Sequence, residues 1–91
     1  MSEFEYELAT DIISRNNQDG TVVIMKMDDS NTFFKIDGVS AEVWTGISNK
    51  NSMETIINDI LNRYEVSKEI LNKDIESAIN TLLHKNLIKK T

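Results

Sequence analysis

The sequence predicts an α+β fold: a three-stranded antiparallel sheet followed by three α-helices, in the order β-β-β-α-α-α. Three observations predict it. The front half carries short β-branched and aromatic runs separated by turn-forming residues. From about residue 40 the apolar residues recur at spacings of three and four, the mark of amphipathic helices. The 91 residues contain no proline to break those helices, and they are too few for a second core.

Residues 1–10 read as a flexible or loosely docked N-terminal arm, and residues 11–91 as a single domain. Within the arm, Phe4, Tyr6 and Leu8 alternate with Glu3, Glu5 and Glu7. That period of two fits an added strand, packing on the core or docking to a partner. Asp11-Ile12-Ile13-Ser14-Arg15 is the first strand, and Asn16-Asn17-Gln18-Asp19-Gly20 supplies a turn whose glycine accepts positive φ. Residues 21–27 (TVVIMKM) form a central strand, apolar on both faces until Lys26. A second turn at Asp28-Asp29-Ser30-Asn31 leads to Thr32-Phe33-Phe34-Lys35-Ile36-Asp37, the third strand, closed by Gly38. Such a meander has two edges.

Ser40 is placed to cap a short helix with Ala41, Val43, Trp44 and Ile47 facing inward, ended by Gly46 and residues 48–51. Ser52 precedes a second stripe through Met53, Ile56, Ile57, Ile60, Leu61 and Tyr64. Ser67 opens the last helix, which carries Ile70 or Leu71, Ile75, Ala78, Ile79, Leu82 and Leu83 and runs to about Leu87. Phe33 or Phe34, Trp44, Ile57, Ile60, Leu61, Ile75 and Leu82 are the expected core. Trp44 fills the junction of sheet and helix or, alternatively, grips a ligand.

Composition narrows the function. The chain is 40% hydrophobic and 27% charged, as a globular domain is. It has no cysteine, so neither a disulfide framework nor a thiolate site. Fifteen acidic against ten basic residues give a net charge of −5, which disfavours a nucleic-acid partner, since phosphates are neutralised by Lys and Arg. Lys85, Lys89 and Lys90 read as favourable charge at a helix C-terminus. No apolar run is long enough to cross a bilayer, and the acidic start is unlike a secretory signal, so a cytoplasmic protein without membrane partner is expected.

Catalytic chemistry finds no support. His84, the single histidine, sits beside Lys85 near a helix end. Residues 28–31 lack the length and glycine placement of a calcium loop, and no GxxxxGK[ST], GxGxxG or GxSxG motif occurs. No catalytic residue, metal site or cofactor is expected.

One resemblance covers about residues 11–88. Thr32-Phe33-Phe34-Lys35-Ile36-Asp37-Gly38-Val39-Ser40-Ala41-Glu42-Val43-Trp44 is similar to the aromatic strand, Leu-Asn, small residues and Ile-Trp of the PqqD family. Ser52-Met53-Glu54-Thr55-Ile56-Ile57 through Tyr64-Glu65-Val66 resembles its middle helix, and Asp74-Ile75 with Leu82-Leu83-His84-Lys85-Asn86-Leu87-Ile88 its closing pattern. The chain departs from the pattern with Ile36-Asp37 for Leu-Asn and with Asn86 for a common glycine. The resemblance implies a winged helix-turn-helix-like fold that serves as a recognition element for ribosomally made, modified peptides (RiPPs). It further implies that a precursor's leader peptide adds as an antiparallel strand on the third strand and reaches the groove beside the last helix. Partners would be that leader peptide and a maturation enzyme, either a lasso-peptide leader protease or a radical SAM enzyme.

Strand chemistry agrees with that implication. An edge strand presents unpaired N–H and C=O groups to an incoming strand. Thr32, Phe33, Phe34, Lys35 and Ile36 are therefore the candidate binding strand, with a plain core strand as the alternative. Phe33 and Phe34 point to opposite faces, so one of them leaves the core. On the last helix, Asn72, Glu76, Ile79 and Leu83 form one stripe and Leu71, Ile75, Ala78 and Leu82 another. The second stripe is the expected core and the first the expected groove wall, with Lys73 and Lys35 placed to meet acidic residues of a ligand or simply solvated. An exposed edge can also pair with its own copy, so monomer and homodimer both fit. The competing functions are a winged-helix DNA-binding regulator and a non-catalytic structural subunit of an enzyme complex.

Overall fold

Turn chemistry sets the first hairpin. In a computed structural model, which describes residues 5–27 and 33–91, Gly20 adopts φ +89° and Asp19 holds the turn. The Asp19 carboxylate accepts the Thr21 N–H at 3.0 Å and the Thr21 hydroxyl at 2.6 Å. Those bonds favour the charged form and hold its pKa below the ordinary value. The turn joins β2 (Ile12–Asn16) to β3 (Val22–Lys26), and β4 (Phe33–Ile36) completes an antiparallel sheet in the order β2-β3-β4. The expected turn at residues 28–31 lies outside the described residues, as does Thr32. After β4 the chain turns at Gly38, whose φ is +56°.

Three helices follow: α1 (Gly38–Ser48), α2 (Met53–Arg63) and α3 (Lys68–His84). The expected α+β fold, a three-stranded sheet and then three helices, is present. Ser52 and Ser67 cap α2 and α3, each hydroxyl accepting the N–H three residues on at 3.2 Å. The start and end of α1 differ from expectation. Its N-cap is Asp37, with Ser40 already inside the helix, and Gly46 is an interior residue, not a terminator. Gly46 lies against Ile56 of α2, where its missing side chain lets the helices approach. Helix α1 ends instead through Lys50 at φ +63°, with the Asn51 N–H on the Gly46 carbonyl and the Lys50 N–H on the Ile47 carbonyl. These are the two bonds of a Schellman motif. The same motif closes α3 at Asn86 (φ +59°), so the helix stops before Leu87.

Two short strands lie beyond the expected plan. β1 (Tyr6–Leu8) pairs antiparallel with β5 (Ile88–Lys90), Leu8 opposite Ile88 and Tyr6 opposite Lys90. The alternation in the N-terminal arm thus forms a strand. Further bonds tie it down: Ala9 N–H to the Leu87 carbonyl at 3.0 Å, and Met53 N–H to a Glu5 carboxylate oxygen at 2.9 Å.

The core lies between the inner sheet face and the helices. It is built on Val22 and Ile24 of β3, Val43, Trp44 and Ile47 of α1, Ile56 and Ile60 of α2, and Leu71, Ile75 and Leu82 of α3, with Leu87 and Ile88. Ile57 and Leu61 are half-buried against it. Leu71 takes the inward position and Ile70 is exposed. Trp44 is fully buried, so its side chain is core. Arg63 bridges α2 to α1 through Glu42 and also reaches Asp59 at 3.0 Å; the bonds to Glu42 raise its pKa. No helix among the described residues is long and apolar enough to cross a membrane.

Candidate functional site

Among the described residues β4 has β3 on one side only, so its other side is a free edge. Which groups it offers follows from the ladder. The Asn17 N–H bonds to the Thr21 carbonyl and the Met27 N–H to the Asp11 carbonyl, so odd-numbered residues of β2 and β3 form the hydrogen-bonded pairs between these strands. Even-numbered residues of β3 therefore bond to β4, through Val22 with Ile36 and Ile24 with Phe34. The N–H and C=O groups of Phe33 and Lys35 consequently point away from the sheet, toward an empty strand position.

Side chains alternate about the same backbone. Phe34 and Ile36 face the core and are half-buried against it. Phe33 is 63% exposed on the outer face and Lys35 is exposed beside it. Phe33 is therefore the phenylalanine that leaves the core. In register across the outer face, Phe33 follows Met25 and Ile13, an apolar row that crosses all three strands. On the inner side the Lys85 ammonium lies 5.0 Å from the Phe34 ring centroid, within cation–π range.

The last helix contributes a flank that differs from the expected one. Asp74, Ser77, Ala78 and Thr81 of α3 line a hollow of about 360 Å³ with Asp37, Gly38, Val39 and Ser40, where the chain leaves β4. Asn72, Glu76 and Ile79 instead line a hollow of about 300 Å³ with Tyr6, Met53 and Ile57. Ile79 is itself buried and Leu83 half-buried against the core, while Lys73 is exposed and borders neither hollow. The core stripe of Leu71, Ile75, Ala78 and Leu82 is as expected. Of its two borders, the more apolar is the one flanked by α2 and β1, and the more polar is the one turned toward the end of β4. The apolar members of the Asn72–Leu83 stripe, Ile79 and Leu83, pack against the core, and its polar members border the hollow beside α2 and β1.

Elsewhere, a polar hollow between the first hairpin and α1 is bordered by Asn16, Thr21, Glu42, Thr45 and Arg63. Its groups are committed to one another, Asn16 to Thr45 at 3.2 Å and Arg63 to Glu42. Among the described residues no group of His, Asp or Glu side chains is placed to hold a metal ion. His84 ends α3, exposed to solvent.

Fold and edge together define the class: a small α+β domain with three helices on one face of a sheet whose last strand is open. The chain belongs to the family of coenzyme PQQ synthesis protein D (PqqD), whose model matches residues 21–88. No curated protein matches the chain significantly. Among solved structures it is similar to TbiB1 in complex with the TbiA(β) leader peptide, with a TM-score of 0.82 at 22% identity over 91% of this chain and 94% of that one. It is also similar to a lasso peptide synthetase B1 complexed with the leader peptide, with a TM-score of 0.80 at 16% identity over 93% and 98% of the two chains.

Proposed function

We propose that this domain binds the leader segment of a ribosomally synthesised precursor peptide by strand addition to β4 and presents it to a maturation enzyme. The observation that carries the reading is the open edge, with the backbone groups of Phe33 and Lys35 turned outward. Family membership and two similarly folded proteins, each in complex with a leader peptide, support it. Backbone bonds to Phe33 and Lys35 supply affinity. Leader residues opposite Phe34 and Ile36 fall in the closely spaced, non-hydrogen-bonded pairs, so their side chains enter the inner groove and supply selectivity. Thr32, outside the described residues, extends the same strand in sequence. The groove wall in this proposal is the α3 flank of Asp74, Ser77, Ala78 and Thr81, with Lys85, in place of the Asn72–Leu83 stripe.

The domain contributes binding and no bond-making step; cleavage or modification falls to its partner, a leader protease or a radical SAM enzyme in the cytoplasm. Titration of 15N-labelled protein with a synthetic precursor leader peptide tests the reading. Amide signals of residues 33–37 and of 74, 77, 78, 81 and 85 should shift. Absence of binding below about millimolar leader, equivalent to only about 4 kcal/mol, would remove it. Strong, steeply salt-dependent retention on duplex DNA would replace it with the regulator reading.

A further inference from the structure

We infer that the β4–α3 groove selects the charge order of its peptide: a cation toward the N-terminal end of the bound segment and an acid toward its C-terminal end. The inference rests on the strand-addition reading and deepens it.

The two ends of the groove carry opposite charge. Where β4 ends, Asp37 and Asp74 both border the hollow beside Gly38 and Val39. Asp37 precedes α1 as its N-cap residue, yet its side chain makes no capping bond. Both residues are exposed, and among the described residues nothing basic lines this hollow. One strand length back, at Phe34, the nearest charge among the described residues is the Lys85 ammonium, 5.0 Å from the ring centroid. Along α3 between Asp74 and Lys85 the lining is Ser77, Ala78 and Thr81, neutral throughout. Lys35, the cation of β4 itself, points to the outer face and meets the opposite side of an added strand.

An antiparallel partner fixes which end meets which charge. Its N-terminal residues lie beside Ile36 and Asp37, and its C-terminal residues beside Phe34 and Phe33. A basic residue at the start of the segment then approaches Asp37 and Asp74, and an acidic residue further on meets Lys85. A peptide with the reverse order brings like charges together at both ends. A parallel partner would prefer that reverse order, so charge order also reports strand direction.

The test uses two synthetic peptides of identical composition with blocked termini. One has arginines, then alternating valine and threonine, then glutamates; the other has the charged flanks exchanged. By fluorescence anisotropy at low salt, the arginine-first peptide should bind about tenfold more tightly, the size expected when each end gains an exposed ion pair in place of a repulsion. The ratio should shrink toward one in high salt. Asp74→Lys combined with Lys85→Glu should reverse the preference; if that variant does not fold, the salt dependence of the native protein still decides. Equal affinities accompanied by shifted β4 amides overturn the charge-order inference and leave strand addition intact. A glutamate-first preference overturns it in favour of parallel docking. Failure of both peptides, and of the leader itself, to shift those amides removes both.

Discussion

Gly46 stands inside α1 at a point where a Cβ would lie 2.5 Å from Ile56 Cγ1 and 2.8 Å from its Cδ1. Ala is the better helix former by about 1 kcal/mol, so an exposed site would gain from Gly→Ala. Here Ile56 is buried, and the encroached atoms include its inner methylene, so the helices must separate. Gly46→Ala should therefore destabilise the domain by about 1–2 kcal/mol, read as a lower urea midpoint at unchanged slope. Lys50 presents the reverse case. Its φ of +63° is a conformation in which a side chain crowds the following carbonyl, and Lys50 is exposed with nothing to gain from its position in the helix stop. Lys50→Gly should stabilise by about 0.5–1 kcal/mol, whereas Asn86→Ala at the equivalent position of α3 should lose a comparable amount. The Asn86 stop carried a signal in the sequence, because asparagine tolerates the left-handed region, although the apolar spacing ran the helix on to about Leu87. The Lys50 stop had no such signal, since it rests on lysine, and Gly46, close by, carries a misleading one.

At the scale of elements, the alternation along β4 separates folding from binding residue by residue. The Phe34 N–H belongs to the ladder with β3, and the Lys35 N–H faces the open edge. Lys35→Pro removes only the outward donor, and an edge strand tolerates proline there at a cost of about 1 kcal/mol or less. Phe34→Pro removes a ladder bond and a core-facing ring together, at about 3 kcal/mol or more. The expected result is a folded Lys35→Pro domain, by circular dichroism, whose affinity for the leader falls at least about tenfold. A Lys35→Pro protein that binds normally would show that the leader does not add to this edge. The strand, its position at the edge and its aromatic character were all readable from the sequence, because turn residues and period-two patterning are local. The facing side of α3 was not. Helical spacing defines the core stripe through Leu71, Ile75, Ala78 and Leu82, but leaves two borders equivalent until the neighbours of each are known. The structure gives Asn72, Glu76 and Ile79 to the side of α2 and β1, and Asp74, Ser77 and Thr81 to the side where β4 passes into α1.

Across the whole molecule, the first and last strands meet. β1 and β5 pair over the core, and the Thr91 N–H bonds to the Glu5 carbonyl at 3.1 Å. Lys89 reaches Glu7 at 3.4 Å, an exposed ion pair worth at most about 1 kcal/mol. Apolar burial contributes more: Leu87 and Ile88 are buried, and Tyr6 and Leu8 are half-buried against the same cluster. Sequence alone offered three fates for the Glu-aromatic alternation before residue 10, because a three-residue strand is specified by its partner and that partner lies at the opposite end of the chain. Deleting residues 1–9 removes β1 and uncovers part of Leu87 and Ile88, which should cost about 2–4 kcal/mol at about 25 cal/mol per Å² of apolar surface. In a domain whose total stability falls in the range of about 5–15 kcal/mol, that loss lowers the melting temperature by at least about 10 °C. A docked but energetically idle arm would leave the melting temperature unchanged. Because the open edge of β4 belongs to the other sheet, the truncated domain, held well below its own melting temperature, should retain leader affinity within about threefold. Loss of binding in parallel with an intact fold would mean that the terminal strands communicate with the groove through α3, which β5 follows directly.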